Sequence, residues 1–105
     1  MIVVIGRVIT DADKREQLIG VAQTVARASR AETGCISYRV YEDTEIENEF
    51  VFVEEWDGEQ ALKEHFKTAH IAEFMKAIGT TIVAPPEVKF HTIASSIDLA
   101  DVSGG

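Results

Sequence analysis

Two stretches of this chain are apolar on both sides of an extended backbone, which restricts the folds open to it. In Ile2–Thr10, the residues Ile2, Val4 and Val8 alternate with Val3, Ile5 and Ile9. In Phe50–Trp56, the residues Phe50, Phe52 and Trp56 alternate with Val51 and Val53. Successive side chains of a strand point to opposite faces, so both stretches need cover on two sides. Antiparallel sheets usually leave one face to water and are polar there. A sheet built from these strands needs helices on one face and a second layer on the other, and another copy of the chain is the simplest supplier.

The segments between the strands supply the helices. Asp11 or Asp13 can cap a helix whose apolar positions Leu18, Val21, Ala22, Val25 and Ala28 recur at three- and four-residue steps. Arg27 and Arg30 fall in its last turns, where cations suit the helix dipole. A second strand runs from Gly34 to Tyr41. The connector Asp43–Glu49 carries four carboxylates in seven residues, which belong in a solvated turn; the glycine and spacing of an EF-hand loop are absent. Asp57-Gly58 breaks the third strand, and helical spacing resumes from Glu59. Pro85-Pro86 stops that helix and forces an extended path into a last strand, Val88–Ile93. The second helix is long enough to break near Thr68.

The order β-α-β, β-α-β predicts an α+β, ferredoxin-like βαββαβ domain with an antiparallel four-stranded sheet and both helices on one face. Two such sheets face to face make a dimeric α+β barrel. Residues 1–94 form this domain. Residues 95–105 are a tail whose Ile97, Leu99 and Val102 are expected to reach onto the partner subunit, with a mobile Gly104-Gly105 end.

A formal charge of −8 excludes a nucleic-acid partner, because phosphate neutralisation needs clustered Lys and Arg, and it disfavours anionic lipid. No apolar run approaches the ~20 residues of a membrane helix. Met1–Ile5 lacks the basic flank of a signal peptide. The single cysteine, Cys35, cannot form an internal disulfide, so a reduced, cytoplasmic protein is expected.

His65 and His70 are the main candidates for chemistry. On an unbroken helix five residues place them about 140° apart, but a break near Thr68 would let the imidazoles converge. No third ligand stands at convincing spacing, so no metal site is expected. A histidine is the side chain suited to take a proton from a phenol or quinol near neutral pH. Leu62 and Phe66 share a helix face that, with Phe74, forms either core or the walls of a pocket for a flat aromatic molecule. Tyr38 and Trp56 offer a phenol and an indole donor, and core packing is the simpler role for Trp56. Tyr38 is expected to share its face with Ile36 and Val40, opposite Cys35, Ser37, Arg39 and Tyr41. Arg39 suits an ion pair across a dimer interface, and Cys35 is expected as a small core residue. No dinucleotide, P-loop or serine-nucleophile motif occurs.

Four pieces, Gly34-Cys35-x-x-Tyr38, Glu55-Trp56, Leu62-x-x-His65 and Thr68-Ala69-His70-x-x-x-Phe74, give residues 2–93 a pattern that resembles the antibiotic biosynthesis monooxygenase family. The resemblance implies a homodimer that oxidises a quinol- or polyphenol-type aromatic with molecular oxygen and uses no cofactor. It implies His65 and His70 as the base and its hydrogen-bonding partner, with Tyr38, Trp56, Leu62, Phe66 and Phe74 holding the ring. A haem-degrading branch of the fold depends on an Asn–Trp–His set; the corresponding positions fall near Arg7, His65 and Met75, and none matches. Because one fold hosts several reactions, an isomerase or lyase acting on a small hydroxyketone or lactone stays open, as does a non-enzymatic dimeric binding or stress-response protein.

Overall fold

The computed structural model describes residues 1–104, so the terminal glycine of the expected mobile end lies outside the described residues. The elements are β1 (Ile2–Ile9), α1 (Arg15–Arg30), β2 (Cys35–Glu42), β3 (Glu49–Trp56), α2 (Glu59–His65), α3 (Ala69–Ile78), β4 (Glu87–Thr92) and a short α4 (Leu99–Ser103). One sheet has the order β2-β3-β1-β4 with every pairing antiparallel, the ferredoxin-like α+β arrangement. Asp11 caps a single 3₁₀ turn, Ala12–Lys14, that leads into α1.

The core lies between the helices and one face of the sheet. Leu18, Ala22, Val25 and Ala26 of α1 and Ile71 and Ile78 of α3 pack with Ile2, Val4 and Val8 of β1 and Phe50, Phe52 and Trp56 of β3. Burying each large side chain of this set is worth ~1.5–3 kcal/mol. The opposite face of β1 and β3 stays apolar and partly open, with Ile5 and Ile9 of β1 and Tyr41 of β2 among the exposed large side chains.

Strict alternation fails at one place. A bulge between Cys35 and Ser37 lets Cys35 pair with Trp56 while Ser37 pairs with Glu55. Cys35 therefore sits against the core rather than with Ser37, Arg39 and Tyr41, and Ile36 is more than half exposed instead of sharing the face of Tyr38. One extra residue in one strand shifts every side chain before it to the other face.

The helical segment after β3 is broken. α2 ends at His65, and Thr68 caps α3 by accepting a hydrogen bond from the Ile71 N–H. Gly34 fixes where α2 meets the start of β2: a Cβ there would lie 2.2 Å from the Ala61 Cβ. The acidic connector is a turn, in which Asp43 Oδ1 accepts from the N–H groups of Glu45 (2.8 Å) and Ile46 (3.0 Å) and Asn48 adopts φ 67°. The tail ends in α4, whose Leu99 and Val102 are exposed, as is the preceding Ile97. No helix of the described residues is long and apolar enough to cross a membrane.

Candidate active site

Between the sheet and the α2–α3 pair lies a cavity of about 130 Å³. Its walls include Val4, Gly6 and Val8 from β1, Phe52 from β3, and Ile71, Phe74 and Ile78 from α3. Exposed Phe66, Met75, Pro86 and Val88 frame one side, and buried Tyr38, Glu54 and His65 line the other. An apolar space of roughly 150 Å³ accommodates a benzene ring, so this cavity is on the scale of one aromatic ring.

His65 is held from behind. Its Nδ1 lies 2.7 Å from Glu32 Oε2, in the turn after α1, and His70 Nε2 lies 2.7 Å from the same oxygen. The break between α2 and α3 makes this convergence possible, bringing the two ring centroids to 5.9 Å. Both imidazoles satisfy the carboxylate as N–H donors, which leaves Nε2 of His65 as the basic nitrogen available to a molecule in the cavity. The indole of Trp56 packs on His65 with centroids 4.4 Å apart, and Tyr38 flanks it at 6.1 Å. His65 is almost fully buried and cannot turn freely.

Glu54 is the second titratable group on the cavity wall. It projects from the middle of the sheet onto the core face, where its Oε1 accepts from Trp56 Nε1 at 2.9 Å and the Tyr38 side chain shares its cavity wall. Burial pushes its pKa up to about 7 against the restraint of the Trp56 N–H and the nearby Tyr38 phenol, and Glu32 adds to the rise. Burial likewise raises the Tyr38 phenol and pushes the Cys35 thiol up to about 11, so Cys35 is not an activated thiolate.

Of the residues singled out from the sequence, His65, Tyr38, Phe66 and Phe74 line the cavity, with Phe74 stacked edge-on against Phe52 at 5.4 Å. Trp56 and Leu62 are buried but do not line it; Trp56 supports His65 and Glu54, and Leu62 belongs to the core. His70 lines a separate groove between α1 and α3 and touches the cavity's chemistry through Glu32. Glu32 and Glu54 are additions. Glu54 was detectable as an acid alternating with Phe52 and Trp56 on a core face, whereas Glu32 carries no local signal. Glu32 also supplies the third metal-type donor that sequence spacing lacked, since its oxygen and the two ring nitrogens all lie within 4.8 Å. The 2.7 Å separations are those of hydrogen bonds, whereas ligands of a tetrahedral cation with ~2.0–2.1 Å bonds stand roughly 3.3 Å apart.

Comparison with known proteins supports this reading of the fold. An uncharacterized protein of Synechocystis is 40% identical over 95 residues, covering 90% of this chain, which spans only 65% of that relative's length. YcnE of Bacillus subtilis, provisionally named a monooxygenase, is 36% identical over 88 residues, covering 84% of this chain and 93% of YcnE. The solved structure of Rv0793 from Mycobacterium tuberculosis superposes with a TM-score of 0.86 at 27% identity, covering 92% of this chain and 98% of that one. These similarities support a monooxygenase-like function in broad terms. The family model for antibiotic biosynthesis monooxygenase matches residues 1–77, and the chain belongs to that family.

Proposed function

We propose that this protein is a cofactor-independent monooxygenase that oxidises a neutral phenol- or quinol-type aromatic with molecular oxygen. The observation that carries the proposal is a buried imidazole on the wall of a ring-sized apolar cavity, held by a carboxylate through its other nitrogen. A phenol bound with its ring among Phe52, Phe66 and Phe74 gives its hydroxyl proton to His65 Nε2. Glu32 stabilises the resulting imidazolium and fixes its orientation, as the carboxylate does in other carboxylate–histidine pairs. The phenolate passes one electron to oxygen, and the aryloxyl radical and superoxide combine at a ring carbon bearing hydrogen. Loss of water leaves a quinone: the substrate gives four electrons, one oxygen atom enters the ring, and the other leaves as water. Exclusion of water by the apolar walls raises the energy of the phenolate and so favours electron transfer.

The working unit in this proposal is a homodimer. Apolar Val3, Ile5 and Ile9 of β1 and Val51 and Val53 of β3 form the face that the helices leave uncovered, and a second sheet would cover it. The exposed Ile97, Leu99 and Val102 of the tail would add to that contact. Oxygen uptake with a panel of naphthols and quinols, for wild type and His65→Ala, tests the reaction. Uptake that depends on His65 is expected; uptake unchanged in the variant would remove His65 from the mechanism.

A further inference from the structure

We infer that Glu54 is the proton donor of the proposed oxygenation, a carboxylic acid kept neutral in the cavity to protonate the peroxide that the first steps create. The inference rests on the monooxygenase reading and adds a second, separately placed proton donor to it. Combining the radical pair forms a carbon–oxygen bond and leaves an aryl peroxide anion. That anion needs a proton before its O–O bond can break, and a second acid in the cavity supplies it while His65 keeps the phenol's proton for the departing hydroxide.

Geometry singles out Glu54. It lines the same cavity as His65 but comes from a different element, β3 rather than α2. Its hydrogen-bond partner is a donor, the Trp56 indole N–H, with the Tyr38 side chain beside it on the cavity wall, and among the described residues no cation lies within ion-pair distance of it. The titratable groups around it are Tyr38 and Cys35 from β2, His65 from α2, and the more distant Glu32. Arg30 and Arg39 lie near in sequence to this cluster, but each donates to the outward carbonyl of Tyr38 at the sheet edge. A carboxyl so placed is far costlier to ionise than one at the surface, and the raised pKa agrees with that. For a purely structural side chain on a core face, an apolar residue or an amide would fill the position without this penalty.

The protons then balance over a cycle. Glu54 protonates the distal oxygen of the peroxide. The resulting carboxylate removes hydrogen from the oxygenated ring carbon as the O–O bond breaks, so the C–H electrons form the new carbonyl and hydroxide departs. Hydroxide takes the proton that His65 received from the phenol and leaves as water. Both residues return to their starting states.

Two measurements on the full-length protein test this, using 1-naphthol as the probe. Infrared spectra across a pH titration should contain a neutral carboxylic-acid carbonyl band at pH 6 that fades through pH 7 to 8 and is missing from Glu54→Gln. Absence of the band from wild type at pH 6, or its persistence in the variant, overturns the assignment. During turnover, Glu54→Gln should still consume oxygen, because His65 and the electron-transfer step are intact, but should release superoxide and hydrogen peroxide and lower the quinone formed per oxygen by at least about tenfold. Glu54→Asp should restore part of that ratio. A Glu54→Gln variant with the wild-type ratio overturns the role while leaving the monooxygenase reading in place. Failure of wild type to take up oxygen with any phenol overturns both, with the infrared band still reporting the state of the carboxyl.

Discussion

His65 Nδ1 and Glu32 Oε2 meet at 2.7 Å although 33 residues separate them in the chain. The pair joins the turn after α1 to the last residue of α2, and it orients the one imidazole that reaches the cavity. Because the two side chains act as a unit, their losses should not add. His65→Ala should lower kcat/KM by about 10²–10⁴-fold, Glu32→Ala by less, and the double variant by no more than His65→Ala alone. Steady-state kinetics of the three variants measure the coupling, and additive losses would show that Glu32 acts elsewhere.

Glu54 should leave a signature in stability as well as in turnover. Its pKa rises from 4.5 to about 7 on folding, so the native state binds the extra proton between those values. Stability then falls as pH climbs through that window, by something on the order of 3 kcal/mol, and is level on either side. Glu54→Gln removes the penalty. The difference in melting temperature, variant minus wild type, should grow from pH 4 to pH 8. A constant difference across that range would mean that Glu54 ionises normally.

Gly34 holds α2 against the start of β2. Gly34→Ala places a methyl 2.2 Å from the Ala61 Cβ, and the helix must move. Overpacking of this kind costs about 1–3 kcal/mol, or a melting temperature lower by roughly 4–8 °C for each kcal/mol in a domain this size. Thermal denaturation followed by circular dichroism checks it, and a change of less than about 2 °C would show that the contact relaxes without strain. Because α2 carries His65, the variant should also lose turnover beyond its loss of stability.

The open sheet face carries the dimer proposal. Ile5→Glu puts a charge at the centre of that face without disturbing the core behind it. Light scattering at micromolar concentration should find a wild-type dimer and a monomeric variant. A monomeric wild type would leave that face without the partner that its composition requires.

Much of the fold was legible because it rests on local patterns. Alternation in Ile2–Thr10 and Phe50–Trp56, the stripe from Leu18 to Val25 and the stop at Pro85-Pro86 each follow from a short stretch of chain. Thr68 was legible as the region of a break, and that break lets His65 and His70 share an oxygen. The bulge at Cys35 was not, since one inserted residue changes no propensity yet reverses a face. Glu32 was hidden for a different reason. It is one acid among 18 acidic residues, and only the tertiary path of α1 brings it to His65. Glu54 stood between these cases, visible as an acid on an apolar face but without a partner in sequence to give it meaning.

The central claim is that a phenol in this cavity reacts with molecular oxygen through His65. Turnover of 1-naphthol under isotopically labelled oxygen measures it most directly. The account predicts one labelled atom in the quinone and one in water for each oxygen consumed, with the label in the quinone lost in His65→Ala. Product formed under strictly anaerobic conditions, or a quinone whose new oxygen comes from solvent, would contradict it.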